Sequence, residues 1–183
     1  MYKSLIATTF AALAAAASTS TFPSAAVKRN VSLDDIADLQ NINGDVNGVS
    51  DNLIIALFNG INTNVIIQQN EQQVVLALIN FMSSSDRDNR DVYNELFNNL
   101  VIVVDSSVQV RQSNQRLAEV IGINEDAING LSVVADAQNQ EVVLVQSLTG
   151  DADNDLPILN QLLDAFSGGA QQNQLNQQIV LLG

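Results

Sequence analysis

The chain has no cysteine, no histidine and no tryptophan. Without cysteine no disulfide can brace it, so stability has to come from packing. Without histidine or cysteine, neither a Ser-His-Asp set nor a Cys-His set can be assembled, and neither can a zinc site of the usual ligands. A general base near neutral pH would have to be a carboxylate moved from its ordinary pKa by its surroundings. Lysine occurs only at Lys3 and Lys28, and beyond Arg29 the only basic residues are Arg87, Arg90, Arg111 and Arg116. All 20 carboxylates lie beyond the same point, and the whole chain carries a net charge of −13. That balance argues against nucleic acid, whose phosphates need Lys and Arg. It argues equally against anionic membrane surfaces.

Residues 1–17 begin Met1-Tyr2-Lys3 and continue as a short apolar run ending in alanines. One positive residue followed by such a run is the layout of a secretory signal peptide, and the run is too short to span a bilayer. Residues 18–29 are rich in Ser, Thr, Pro and Ala and end in Lys28-Arg29, where a propeptide would be cut. The expected mature chain is then one domain over 30–183, with four arginines set against all the carboxylates. Its first residue, Asn30, opens the sequence Asn30-Val31-Ser32, a candidate glycosylation site. No transmembrane segment is expected in that mature chain.

What the chain does have is Asn and Gln, 22 and 17 of them, interleaved with Val, Ile and Leu. The interleaving gives a mean hydropathy of +0.13, too high for an ordinary disordered region. The expectation is that Asn and Gln form the solvated face of helices in place of Lys and Glu. Ile36, Leu39, Ile42, Val46, Val49, Leu53, Leu57, Ile61 and Val65 recur at steps of three and four, a helical stripe. Gly44 and Gly48 interrupt it, and Asn64–Met82 is apolar on more than one side.

Ser83–Asp91 is polar throughout and reads as a loop. A helix with Leu96, Leu100 and Val104 follows, although Val101–Val104 alone could be a buried strand. Gly122 ends it. Asn124 opens the next helix, whose stripe of Ile128, Leu131, Val134, Gln138, Val142 and Val145 has one polar member. A last helix starts at Leu156-Pro157 and is expected to break at Ser167-Gly168-Gly169. A faint echo links Ile42–Ser50 with Ile123–Ser132. The fold expected is all-α, an up-and-down bundle of about four to six helices.

No candidate site stands out. Asp151, Asp153 and Asp155 have the first spacings of a calcium loop, but Leu156 and Leu162 stand where glycine and glutamate are required. Asp34/Asp38 and Asp86/Asp91 read as solvated surface, with no carboxylate pair embedded among apolar residues. No catalytic residue, metal or cofactor is expected. Aliphatic residues beside the main stripes widen helix contacts or line a cavity, and Ile54, Phe58, Ile66, Ile102 and Val143 are the candidate lining for an apolar ligand.

A signal peptide, a Lys28-Arg29 junction, no cysteine and about 150 acidic, aliphatic, helical residues together resemble one group. These are small fungal secreted helical proteins of the hydrophobic-surface-binding and cell-wall galactomannoprotein type. The Asn/Gln richness and the absence of mature lysine depart from that pattern, and no residue role transfers. The resemblance implies a secreted or cell-wall location and binding of an apolar ligand or hydrophobic surface. The function expected is therefore non-enzymatic binding of that kind at the cell exterior. The alternatives are an effector that binds a host protein and a structural cell-wall or matrix component.

Overall fold

A computed structural model describes residues 46–182, with side-chain detail from Asp51 onward. The leader over 1–17, Lys28-Arg29, Asn30, Asp34/Asp38 and the start of the first stripe lie outside the described residues. The rest is all-α: α1 (Val46–Met82), α2 (Arg90–Ile121), α3 (Glu125–Gln146) and α4 (Ala152–Leu182), with no strand among the described residues. None of these helices is long and apolar enough to cross a membrane.

Each helix buries one seam at alternating steps of three and four. In α1 the seam is Leu57, Ile61, Asn64, Gln68, Glu71, Val75, Leu78 and Met82. In α4 it is Asp155, Leu159, Leu162, Phe166, Gly169, Asn173, Asn176 and Val180. This is the heptad pattern of coiled-coil packing. The chain runs up, down, up, down, as the core shows. One apolar cluster joins the end of α1 (Val75–Met82), the start of α2 (Tyr93–Val104), Val145 late in α3 and the start of α4 (Leu159–Phe166). The other joins the opposite ends: Leu57 and Ile61, Ala118, Ala127 and Leu131, and Val180.

Local chemistry sets the ends. Asn89 caps α2 by accepting from the Val92 N–H. Gly122, at φ 66°, closes α2 in the left-handed conformation that glycine adopts most readily. Asn124 caps α3 through the Ala127 N–H at 2.9 Å. Asp151 caps α4 through the Asp153 and Asn154 N–H groups. That cap starts α4 before Leu156-Pro157, so Pro157 lies inside the helix rather than opening it. Val101–Val104 is helical, as the steps on either side of it favour. The expected interruptions fail: α1 runs unbroken through Gly48, and α4 continues through Gly168-Gly169. In α4 the buried seam persists on both sides of those glycines, so packing outweighs their poor helix propensity.

The two hairpins, α1–α2 and α3–α4, are versions of one another. Asn59-Gly60-Ile61, Gln68 and Glu71 in α1 recur at the same spacing in α3 as Asn129-Gly130-Leu131, Gln138 and Glu141. Asn114-Gln115 and Ala118 in α2 recur in α4 as Asn176-Gln177 and Val180. The packing is equivalent as well: the Asn114 side chain occupies the space over Gly60, and the Asn176 side chain the space over Gly130. This register differs from the echo of Ile42–Ser50 with Ile123–Ser132.

A methyl group at Gly130 would overlap the buried Asn176 carboxamide, whereas at exposed Gly168 it meets nothing within 4 Å. Gly130→Ala is therefore expected to lower unfolding free energy by about 1–3 kcal/mol. Gly168→Ala should raise it by up to about 1 kcal/mol through helix propensity. Urea denaturation followed by far-UV circular dichroism measures both, and equal effects would contradict the close Gly130–Asn176 approach.

Candidate functional site

Between the two apolar clusters the interior is polar. α1 supplies Asn64, Gln68 and Glu71; α2 supplies Ser107, Arg111 and Asn114; α3 supplies Gln138 and Glu141; α4 supplies Asn173 and Asn176. All ten are buried, and both glutamates are 0% exposed. The expectation that Asn and Gln serve as the solvated face is thus corrected for Asn64, Gln68, Asn114, Asn173 and Asn176, which occupy the seam itself, while Gln138 is buried on the stripe where the sequence placed it. Arg111, one of the four arginines beyond Arg29, is buried too.

Part of the layer is hydrogen-bonded across helices. The Ser107 hydroxyl donates to Asn64 Oδ1 at 2.9 Å, and Gln138 Nε2 donates to Ser107 Oγ at 2.7 Å. Arg111 Nε donates to Gln138 Oε1 and its Nη1 to Gln115 Oε1, each at 2.8 Å. Asn173 Nδ2 donates to Gln68 Oε1 at 2.8 Å. The remainder is unpartnered: Gln68 Nε2, Asn114 Nδ2, Asn176 Nδ2, Asn173 Oδ1 and all four carboxyl oxygens of Glu71 and Glu141. Such groups each cost about 1–3 kcal/mol of desolvation when left without a bond.

The two glutamates lie at one level. Each stands one helical turn before a valine, Val75 or Val145, of the same apolar cluster, on helices that run in the same direction. Burial, and secondarily the neighbouring Glu141, holds the Glu71 carboxyl well above the ordinary range, with Ser107 opposing. Burial likewise pushes Glu141 up to about 7, against the pull of Arg111. Burial also lowers Arg111, while Asp136 and Glu141 support its charge. An embedded carboxyl pair is therefore present, contrary to the sequence reading. Among the described residues no third acidic, histidine or cysteine side chain joins it to form a metal-binding group.

A second polar cluster closes the end of the bundle where α3 passes into α4. Asp155, 0% exposed, accepts from the Thr149 N–H at 2.9 Å, the Thr149 hydroxyl at 3.0 Å, the Gly150 N–H at 2.8 Å and the Tyr93 hydroxyl at 3.2 Å. Burial and Asp155 push Tyr93 up to about 12, so it remains a donor at neutral pH. Of the three aspartates with calcium-loop spacing, Asp151 is a cap, Asp153 is exposed and Asp155 is a buried structural acceptor. Asp86 and Asp91 are exposed.

The five candidate lining residues do not converge. Ile54 and Phe58 pack together against the Leu57–Ile61 cluster. Ile66, Ile102 and Val143 stand exposed at 40%, 62% and 64%, on three different helices. The two best-formed depressions are both open to solvent. One, of about 220 Å³, lies between Arg87, Arg90 and Asp151 beside the loops. The other, of about 330 Å³, is an apolar groove between α3 and α4, lined by Val133, Ala137, Leu144, Ala165 and Gly168.

The buried layer did leave a signal in the sequence. A strict heptad frame through Leu57 and Ile61 lands next on Asn64, Gln68 and Glu71 before returning to Val75. Following apolar residues alone leaves the frame at Asn64 and misses the layer.

Asp155→Ala would strand four buried or half-buried donors, with an expected loss of roughly 3 kcal/mol in chemical denaturation. Tyr93→Phe removes one bond and should cost about 1 kcal/mol. Equal losses for the two would show that the Thr149–Gly150 turn does not depend on Asp155.

Comparison of the chain with protein-family models, with curated proteins and with solved structures returns no match to any of them.

Proposed function

We propose that this protein is a non-enzymatic, extracellular binder of uncharged apolar surfaces, which it engages by opening its bundle. One observation carries the reading: the apolar interior is divided by a layer of ten buried polar residues, six of which hold unpartnered atoms. Opening returns those groups to water and recovers their desolvation cost. It also frees four amphipathic helices whose apolar seams can lie in an interface. The two open depressions favour this route over a ligand held in an enclosed cavity. The acidic surface favours an uncharged target over anionic lipid. Glu71 and Glu141 are fully buried, which keeps them from a substrate in the closed state and supports a non-catalytic role.

The test is adsorption to alkyl-coated beads and to an oil–water interface, with far-UV circular dichroism of the bound protein. The wild type should adsorb with its helix content retained. Glu71→Leu/Glu141→Leu should adsorb about fivefold to several-hundred-fold more slowly, because replacing buried ionisable groups by apolar ones stabilises the closed bundle by about 1–4 kcal/mol. No adsorption, or equal rates for the two proteins, would sink the reading.

A further inference from the structure

The polar layer is one of the contacts by which the two hairpins hold each other, beside the two apolar clusters and the Tyr93–Asp155 bond. Arg111 to Gln138, Gln138 to Ser107 and Asn173 to Gln68 all cross from one hairpin to the other. So does the carboxyl pair, with Glu71 on α1 and Glu141 on α3. The only covalent link between the hairpins is the turn at Gly122, Ile123 and Asn124. Opening the bundle along this seam leaves each helical hairpin whole and separates the two glutamates.

We infer that Glu71 and Glu141 form a proton-operated latch between the hairpins, closed when both carboxyls are neutral and released when they ionise. This rests on the proposed opening of the bundle and names its regulator. The groups that face the pair come from every helix. α1 adds the neutral Gln68; α2 adds Arg111 and Ser107; α3 adds Gln138, with exposed Asp136 acting on Arg111; α4 adds Gly169 and Asn173 and no titratable group. The guanidinium of Arg111 supports a charge on Glu141, whereas Glu71 has only the neighbouring carboxyl and Ser107 acting on it; the hydrogen bonds of Arg111 go to Gln138 and Gln115 rather than to either glutamate.

A proton fits the site better than a metal cation does. A cation would need further oxygen ligands and an entry path, and would sit beside Arg111. A proton needs neither ligand shell nor channel. Losing it leaves like charges buried at one level on opposite hairpins, where their repulsion and their desolvation both favour separation.

The direction of the pH effect follows. Both folded carboxyls hold protons more tightly than in the unfolded chain. Their contribution to stability is complete below the ordinary carboxylate pKa of 4.5 and is lost for Glu141 as pH rises through about 7, with Glu71, raised in the same direction, adding to the loss. The bundle should therefore be tightest in mild acid and should open most readily at neutral and alkaline pH.

Thermal unfolding and bead adsorption, measured together from pH 5 to pH 8, test this. The wild-type Tm should fall by roughly 10 °C across the range, and adsorption should speed up. Glu71→Gln/Glu141→Gln should flatten both profiles, while Glu95→Gln/Glu119→Gln, which alters two exposed glutamates, should leave them as in the wild type. Glutamate carboxyl-carbon NMR on the unaltered protein gives an independent reading: two of the five glutamates should titrate well above the ordinary carboxylate range, Glu141 near pH 7. Five ordinary titrations below about pH 5, or a pH profile that survives the double glutamine change, would overturn the latch. Calcium or sodium raising Tm at pH 8 would overturn it in favour of a cation site. pH-independent adsorption would overturn the latch and leave surface binding standing. A pH-dependent Tm without adsorption at any pH would support the latch and reject surface binding.

Discussion

Everything in this bundle is arranged around the burial of Glu71 and Glu141. Two carboxyls at one level in a helical core are tolerable only while they carry no more charge than Arg111 can balance. Their neighbours follow from that constraint. Ser107 and the carboxamides of Asn64, Gln68, Gln138 and Asn173 bring dipoles into the layer without adding net charge. The glycine at 169 lets the Gln68 side chain and the Glu141 carboxyl approach the α4 backbone. The apolar residues are displaced to the two ends of the bundle, where each cluster closes over its own side of the layer.

This division of the core makes its stability uneven in kind. The two clusters contribute by removing apolar area from water, a term with no preferred partner. The layer contributes through directional bonds, of which only some are made. A buried layer of that type specifies register, since sliding one helix by a turn would leave Asn64, Ser107 and Gln138 without each other. The repeated hairpin explains why the device is paired. A Gln-x-x-Glu seam, present in both α1 and α3, puts one carboxyl on each half when the halves associate.

Solubility and interior obey different rules here. Outside, Asp and exposed Asn and Gln keep the chain hydrated at strong negative charge. Inside, the same residue types, Asn and Gln, occupy seam positions. Composition does not distinguish the two roles; position in the heptad does.

The sequence by itself determined the helical class, the caps at Asn124 and Gly122, the loop before α2 and the absence of disulfide or histidine chemistry. Each depends on near neighbours in the chain or on which residue types are present at all. The tertiary structure alone decided that α1 and α4 run unbroken through their glycines, that Asp155 is buried, and which partners the Asn, Gln and Glu of the heptad frame find across helices. Those outcomes depend on partners far along the chain: Asn176 over Gly130, Tyr93 against Asp155, and Glu141 at the level of Glu71. A polar residue in a helical seam becomes a core residue only when three other helices close around it, and that closure is a property of the assembled bundle.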